Sequence, residues 1–367
     1  MIFQGAPGAG KTALMLECME AVRQHSTPDN PWVAVPIEAT VLDSVADVIK
    51  IMMLETNLEI ERLSKVFQSQ EPSIIENLKK SGEKIVTALE NFNVTVNLGV
   101  VGVTRQSKSS NFETSQDIRA ETAFRDAASS FENFNLIIFV DEAQNTPVSN
   151  LSKSVINCLH HGIKGISLIA AFFGLSDTKQ VLRQCGLSRL PDEQVVTLDI
   201  LSHDDAKGAI RAVFDAYDFK GPDQAAWVDE LASISQGWPQ HINRVSVAAG
   251  RVIHRNGGGI QPNLLQSAIA MGQERKNDYY ASRLEACSED PWIYKQLAEA
   301  AGERNGLLSW DEIDSISERM RNKMGLSTND FLADALHAGV LMDSKSLPDH
   351  YKIPIPSFGD YLRELPL

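Results

Sequence analysis

The first 200 residues alternate between short apolar runs and longer amphipathic stretches. Apolar runs of about 4–8 residues bounded by turn residues are typical of buried strands, whereas apolar positions recurring every three or four residues are typical of helices. The runs predict five strands, at Met1–Gln4, Trp32–Ile37, Leu136–Val140, Ile166–Phe173 and Val195–Ile200. Because amphipathic stretches separate these strands, we expect an α/β fold whose parallel sheet is covered by helices on both faces.

Between Ser202 and Glu285 the amphipathic stretches follow one another without strand-like runs. Helices are predicted at 202–218, 222–236, 239–255 and 261–285, the first of them capped by Ser202. From Glu289 the pattern predicts three helices and then a β-hairpin that pairs Gly339–Asp343 with Tyr351–Ile355, which is a winged-helix arrangement. We therefore expect a core domain at 1–200, a helical lid at 201–285 and a winged-helix domain at 286–367.

Composition narrows the class of protein. The 367 residues are 43% hydrophobic and 22% charged, which is ordinary for a globular protein and excludes a disordered or fibrous chain. Acidic residues outnumber basic ones by 48 to 34, and the net charge of −14 opposes indiscriminate binding to nucleic acid. The four cysteines form no CxxC pair, and no apolar run approaches the roughly 20 residues of a membrane span. We expect a cytoplasmic protein with reduced thiols and no membrane partner.

A glycine-rich loop lies between the first predicted strand and the first predicted helix. Its spacing, Gly5 followed by four residues and then Gly10-Lys11-Thr12, matches the phosphate-binding loop. In such a loop the backbone N–H groups and the helix N-terminus face phosphate oxygens, the lysine reaches the β- and γ-phosphates, and the threonine hydroxyl binds Mg²⁺. The structural alternative is a glycine-rich turn without a ligand. We predict that ATP or ADP is bound by residues of this segment: Gly5, Ala6, Pro7, Gly8, Ala9, Gly10, Lys11, Thr12 and Ala13.

Two acidic residues, Asp141 and Glu142, follow directly on the apolar strand Leu136–Val140. A buried strand would bring Asp141 to the Mg²⁺ that Thr12 binds, and would leave Glu142 positioned to polarise a water for attack on the γ-phosphate. On its own, a strand followed by two acids is more often a solvated strand end. The glycine loop earlier in the chain favours the catalytic interpretation.

Three later residues, Ser176, Arg189 and Pro239, are further candidates for roles in nucleotide binding or hydrolysis. Ser176 follows the fourth predicted strand and would sense the γ-phosphate there, with Asp177 and Thr178 close behind it; the alternative is an N-cap for the next helix. Arg189 precedes the last predicted strand, where it would reach a neighbouring copy's nucleotide as an arginine finger, and Arg183 is the weaker candidate. The alternative is a surface arginine without a role.

Pro239 belongs to the motif Gly237-Trp-Pro-Gln240 at the start of a predicted helix. Proline is common in the first turn of helices for structural reasons alone, because its fixed φ suits that position. The second interpretation is that its ring stacks on an adenine base.

Together these motifs resemble the AAA+ and STAND division of P-loop ATPases, in particular origin-recognition-type and bacterial transposition-type ATPases. Gly5–Thr12 resembles Walker A, Leu136–Glu142 resembles Walker B, and Ser176 stands where sensor 1 is found. Arg189 stands at the place of the arginine finger, and Gly237–Pro239 resembles the GxP motif that contacts adenine. The resemblance implies a three-layer αβα P-loop ATPase core with a helical lid and a C-terminal winged helix, which hydrolyses ATP with Mg²⁺ as a homo-oligomer.

The chain departs from that family pattern at the sensor 2 position and in the spacing between Walker A and Walker B, among other places. Gln240 stands where a sensor 2 arginine is expected, and Arg244, one helical turn later, is the candidate substitute. Lys11 and Asp141 are 130 positions apart, which is more than the core fold needs. The excess, at about 45–112, is predicted to form an inserted helical and β-ribbon element.

Two functions follow from this pattern. The first is an ATPase that assembles through neighbouring copies and acts on DNA or on a DNA-bound partner, with the winged helix docking on DNA. The segment Glu289–Leu367 argues for caution, because it holds 8 basic and 14 acidic side chains and its predicted third helix, Thr328–His337, has no Lys or Arg. Only Lys345 and Lys352 in the wing offer cations to phosphate.

The second function is a STAND-type switch with slow hydrolysis. Bound ADP would hold the lid and the winged helix against the core, and exchange for ATP would release them to oligomerise or to recruit a separate protein through the insertion or the winged helix. A superfamily 1 helicase is a weaker third hypothesis, since Asp141-Glu-Ala-Gln144 spells that family's motif II. It is disfavoured because the chain beyond Ile200 predicts no second strand-bearing domain.

Overall fold

In a computed structural model of the chain, the structure describes residues 1–67, 76–77, 79–87, 112–187, 191–285, 291–303, 306–324, 327–344, 347 and 349–366. The chain forms two compact units. The first comprises Met1–Gln4, Thr12–Gly174 and Thr178–Val196, and the second comprises Gly5–Lys11, Leu175–Asp177 and Thr197–Leu367.

The first unit is built on a five-stranded sheet with the order β2-β3-β4-β1-β5. The strands are β1 (Ile2–Gln4), β2 (Trp32–Glu38), β3 (Asn135–Asp141), β4 (Ser167–Gly174) and β5 (Val195–Thr197). The pairs β2–β3, β3–β4 and β4–β1 are all parallel, which confirms the predicted α/β fold. The fifth strand ends at Thr197 rather than Ile200, and the N–H of Ile200 donates to Oδ1 of its neighbour Asp199 at 3.0 Å instead of to another strand.

Side chains on the two faces of the sheet belong to different hydrophobic clusters. Leu136, Ile138 and Val140 of β3 pack into one cluster with residues of α2 (Val45–Val66), α4 (Phe112–Ala127) and α5 (Asn150–His161). Phe139 packs into the opposite cluster with Met15 and Met19 of α1 (Lys11–His25). Successive strand residues point to opposite faces, so an apolar run such as β3 supports helices on both sides. The predicted three-layer arrangement is confirmed.

The helical part of the predicted insertion is confirmed, but it is not peripheral. Val48, Met52 and Leu63 of α2 are fully buried in the larger cluster of the first unit, so α2 is one of the helices that cover the sheet. A further helix, α3, occupies 79–87. The β-ribbon predicted at 93–104 lies outside the described residues.

Four helices of the second unit follow the predicted pattern: α7 (His203–Ala216), α8 (Gln224–Ser235), α9 (Pro239–Arg255) and α10 (Leu265–Glu285). Phe214, Trp227 and Val245 are buried in the cluster that α7, α8 and α9 share. The Ser202 N-cap is confirmed, since its hydroxyl accepts a hydrogen bond from the Asp205 N–H at 3.1 Å. Such a cap is worth about 1 kcal/mol. The helix α6 (Thr178–Gln184) lies earlier in the chain and belongs to the first unit.

The C-terminal part of the second unit combines helices with a small antiparallel sheet. Its elements are α11 (Pro291–Glu303), β6 (Leu307–Ser309), α12 (Trp310–Met324), α13 (Thr328–His337), β7 (Met342–Asp343), β8 (His350–Lys352) and α14 (Phe358–Arg363). The predicted hairpin is confirmed by the pairing of Met342 with Lys352, although both strands are shorter than predicted. The strand β6, which pairs with β8, was not predicted, because its partner lies far along the chain and no turn joins the two strands directly.

His241 makes the stability of the second unit dependent on pH. The side chain is fully buried, its Nδ1 lies 3.1 Å from the carbonyl oxygen of Ser235, and burial, with a smaller contribution from the Lys276 ammonium, lowers its pKa to about 3. Between about pH 6.5 and pH 3 the unfolded chain therefore binds a proton that the folded chain does not. We expect the free energy of unfolding to fall by about 2 kcal/mol between pH 6.5 and pH 5 from this group alone.

The measurement is urea unfolding of the whole chain across that pH range. His241→Phe should flatten the pH dependence, because the variant has no imidazole to protonate in the unfolded state. His254→Phe on the exposed side of the same helix is the matched control and should keep the wild-type slope. Equal slopes for wild type and His241→Phe would contradict the assignment.

None of the described helices is both long and apolar enough to cross a lipid bilayer. Among the described residues Cys18, Cys158 and Cys185 form no disulfide, and Cys287 lies outside those residues.

Candidate functional site

The glycine loop Gly5–Lys11 belongs to the second unit and turns back on itself. Gly8 and Gly10 have φ angles of +84° and +87°, values that L side chains rarely adopt. The N–H of Ala9 donates to the carbonyl of Ala6 at 3.1 Å, which closes a tight turn. The glycines therefore allow the curl that a phosphate-binding loop requires.

Lys11 is buried at the end of this loop, with 8% of its surface exposed. Its ammonium donates to the carbonyl oxygens of Gly5 and Ala6, at 3.0 and 3.1 Å. These bonds hold the lysine side chain back along the loop, so that the cation lies beside the same backbone that would surround phosphate oxygens. A buried ammonium needs such hydrogen bonds, because burying a charge without partners is costly.

The helices α9 and α10 pack directly on this loop. The N–H of Gln240 donates to the carbonyl of Gly8 at 3.1 Å, and the Tyr279 hydroxyl donates to the carbonyl of Pro7 at 2.7 Å. Burial raises the pKa of Tyr279, which keeps the phenol protonated as a donor. A Cβ atom added at Gly10 would lie 3.4 Å from Cβ of Pro239. The structure therefore brings the predicted adenine-contacting proline to the glycine loop.

The C-terminal elements also reach the loop. A Cβ atom added at Gly339, which follows α13 with a φ of +72°, would collide with the ring of Pro7. Nearby, Nδ1 of His337 lies 3.9 Å from a carboxylate oxygen of Asp177. Burial raises the pKa of Asp177, and the His337 charge opposes that shift only in part. Burial also raises the pKa of Asp343, with Asp177 as a further cause.

In the first unit, the end of β3 meets the start of α1. The Thr12 hydroxyl donates to Oδ2 of Asp141 at 3.3 Å, and Oδ1 of Asp141 accepts from the N–H of Glu142 at 2.9 Å. Glu142 has a left-handed backbone with φ +50° and an exposed side chain. The predicted Thr12–Asp141 pair is therefore formed, and Glu142 is next to it.

This pair is chemically suited to magnesium. Mg²⁺ takes oxygen ligands and is usually held by one or two carboxylates together with substrate phosphates. Thr12 and Asp141 supply a hydroxyl and a carboxylate within 3.3 Å of each other. Among the described residues no cluster of three or more His, Cys, Asp or Glu side chains is placed to hold a metal ion.

The sensor candidates behind β4 differ in their surroundings. Ser176 is buried, with 6% of its surface exposed, and belongs with Asp177 to the second unit. Thr178 is fully buried in the first unit, and its hydroxyl has no hydrogen-bond partner among the residues that the structure describes. Ser176 as the γ-phosphate sensor stays a prediction.

The structure places only some of the candidate arginines near the glycine loop. Arg189 lies outside the described residues, and Arg183 is exposed on α6. Arg244 lies on α9, with its guanidinium carbon 5.9 Å from the centre of the Tyr279 ring, and that of Arg283 lies 5.6 Å from the same ring. Arg244 is therefore close to the tyrosine that bonds the glycine loop, a position that suits the substitute role.

Two residues of this region could not be assigned from the sequence. Tyr279 bonds a carbonyl 272 positions earlier, and no local pattern reports such a contact. Gln144 was noted only as part of the Asp141–Gln144 motif, although its amide donates to the carboxylate of Glu142. A buried glutamine two residues after a candidate catalytic acid was the available signal.

A glycine loop after β1 of a parallel sheet, with an aspartate at the end of β3, defines a P-loop α/β fold. No protein-family model and no curated protein matches the chain. Among solved structures, the chain is similar to the Aeropyrum pernix ORC2 protein in its ADP form, with 10% identity and a TM-score of 0.47 over 98% of this chain and 86% of that one.

It is also similar to a RuvB variant from Thermotoga maritima, with 12% identity and a TM-score of 0.44 over 100% of this chain and 87% of that one. A third similar structure is the Aeropyrum pernix ORC1 protein in complex with DNA, with 11% identity and a TM-score of 0.42 over 99% and 85% of the two chains. The fold class itself follows from the strand order and the packing of helices on both faces of the sheet.

Proposed function

We propose that this chain is an AAA+-type ATPase that binds ATP or ADP with Mg²⁺ and hydrolyses ATP to ADP and phosphate. The observation that carries the proposal is the hydrogen bond between Thr12 and Asp141, directly after a glycine loop that holds the Lys11 ammonium. Loop N–H groups and Lys11 would bind the phosphates, and Thr12 and Asp141 would hold Mg²⁺, which supplies positive charge to the phosphate oxygens.

Glu142 is the proposed general base. It would accept a proton from the water that attacks the γ-phosphorus, while the bond to the β–γ bridging oxygen breaks and ADP leaves. Ser176 would sense the γ-phosphate, and Arg189 of a neighbouring copy would complete the site in a homo-oligomer. Phosphate release by the whole chain, with and without duplex DNA, tests hydrolysis and DNA coupling. The proposal predicts Mg²⁺-dependent release, and no release under either condition would contradict it.

A protein partner fits the C-terminal elements better than DNA does. The described helix α13 has no Lys or Arg, and Lys352 of the wing is paired with Asp199 at 2.9 Å. Lys345 lies outside the described residues. Phosphate contacts need available cations, so we propose that a partner protein binds the winged helix or the insertion.

The STAND-type switch is a second candidate, favoured by the contacts of C-terminal elements on the glycine loop. Gly339→Ala should weaken the closed state, because the added methyl group would collide with Pro7. We expect the variant to release ADP about 10-fold faster than wild type. We also expect it to oligomerise with ADP bound, whereas the wild type should oligomerise only with a non-hydrolysable ATP analogue. Stopped-flow ADP release and mass measurement in each nucleotide state check this.

Gly257→Ala is the matched control for that variant. Gly257 also has a positive φ, +91°, but an added Cβ would have no atom within 4 Å. It therefore carries the same backbone penalty without the collision. If Gly257→Ala and Gly339→Ala release ADP equally fast, the contact with Pro7 does not restrain nucleotide exchange.

A further inference from the structure

The proposed reaction gives no role to Gln144, although this residue contacts the proposed general base. It lies in the short turn Ala143–Asn145 after β3, with 7% of its surface exposed. Its Nε2 donates a hydrogen bond to Oε2 of Glu142, the proposed general base. An ionised carboxylate can only accept, so the amide must present its NH₂ group to Glu142 and its oxygen to the other side.

The other side of the amide faces Gly174 at the end of β4. A Cβ atom added at Gly174 would lie 2.6 Å from Oε1 of Gln144 and would collide with the hydroxyl of Thr178. Both oxygens therefore occupy the space that the missing side chain leaves. Thr178 is fully buried, and within the described part of the chain its hydroxyl has no hydrogen-bond partner. The ends of β3 and β4 thus enclose the glutamine amide.

The Glu142 carboxylate needs a partner that fixes its position. Its backbone is left-handed at φ +50°, a conformation that non-glycine residues hold only where the surroundings fix it. The carboxylate itself is exposed, and without a partner its side chain would sample several rotamers. A general base must lie within hydrogen-bond reach of the water it deprotonates.

We infer that Gln144 is a positioning residue for the proposed ATPase reaction: its amide fixes the Glu142 carboxylate in the direction from which it takes the proton of the attacking water. This inference rests on the proposed function. Gln144 touches neither substrate nor metal in this scheme, and it acts through Glu142 alone. Gly174 provides the space in which the amide is held.

Two variants of similar size test the inference. Gln144→Met keeps the length of the side chain but removes the donor, and it should lower kcat about 10-fold while KM for ATP stays within about twofold. Gln144→Glu places a second carboxylate beside Glu142. Adjacent carboxylates hold a shared proton more tightly, so the acidic limb of the kcat profile should move up by about 1 pH unit.

Two controls separate positioning from damage to the fold. Gln296→Ala removes a surface glutamine that bonds Glu299 at 2.8 Å, and it should leave kcat and its pH profile unchanged. In a Glu142→Gln background, Gln144→Met should cause no further loss of kcat, because the residue acts only through the glutamate. If Gln144→Met fails to fold, the kcat and the pH profile of the near-isosteric Gln144→Glu still test whether Gln144 positions Glu142.

The outcomes are distinguishable from failure of the proposed function. If the wild-type chain hydrolyses no ATP, the proposed function is contradicted and this inference falls with it. If wild type is active and Gln144→Glu keeps its kcat and its acidic limb, only the inference is overturned. The inference is likewise overturned, and the proposed function kept, if the loss of kcat in Gln144→Met persists undiminished in the Glu142→Gln background.

Discussion

Replacing Lys11 with alanine is expected to weaken the binding of ATP about 100-fold. The ammonium is buried against the glycine loop and bonds the carbonyls of Gly5 and Ala6, so it is already placed where the phosphates are proposed to bind. A hydrogen bond to a charged group is worth about 1.5–3 kcal/mol, and the upper end of that range corresponds to about 100-fold in affinity. Titration of a fluorescent ATP analogue measures the effect.

The control for this variant is Lys50→Ala. Lys50 is exposed on α2 and should contribute nothing to nucleotide affinity. Far-UV circular dichroism should show that both variants fold. If Lys11→Ala binds the analogue as tightly as wild type does, the glycine loop does not bind the phosphates.

Glu142→Gln is expected to lower kcat at least about 100-fold and to change the affinity for ATP by less than about threefold. Glutamine has nearly the shape of glutamate but cannot accept the proton of the attacking water, and general-base catalysis contributes about 10²–10⁴-fold. The variant should therefore trap bound ATP. Single-turnover hydrolysis, followed together with equilibrium ATP binding, separates the two effects.

Glu38→Gln provides the comparison. Glu38 ends β2, pairs in register with Asp141 and is exposed, so it is another carboxylate at the same edge of the sheet. It has no part in the proposed chemistry and should keep the wild-type kcat within about twofold. An equal loss in Glu38→Gln and Glu142→Gln would point to general electrostatics at this edge and would contradict a specific base.

The strands and the glycine loop could be predicted because their signals are local. β3 is a continuous apolar run that ends in Asp141, and the loop spacing from Gly5 to Thr12 is fixed by the backbone geometry that phosphate binding requires. A fully apolar strand is buried on both faces, so its place inside a parallel sheet followed from the same run of residues.

The contacts that cover the loop could not be predicted in this way. Tyr279 and Gly339 lie far along the chain from Pro7, and nothing in their neighbouring residues indicates which backbone they meet. The strand β6 was missed for the same reason, because Leu308 pairs with Tyr351 far along the chain. The role proposed for Gln144 needed coordinates, since sequence alone does not tell which way a buried amide points.

The central claim is that the segment from Gly5 to Thr12, with Asp141, binds a magnesium–nucleotide complex. Calorimetric titration of the intact chain with ATP, in the presence and in the absence of Mg²⁺, tests it most directly. The account predicts saturable binding at one site per chain that becomes tighter when Mg²⁺ is present, because Thr12 and Asp141 provide ligands that the nucleotide alone does not use. No heat of binding up to millimolar ATP under either condition would contradict it.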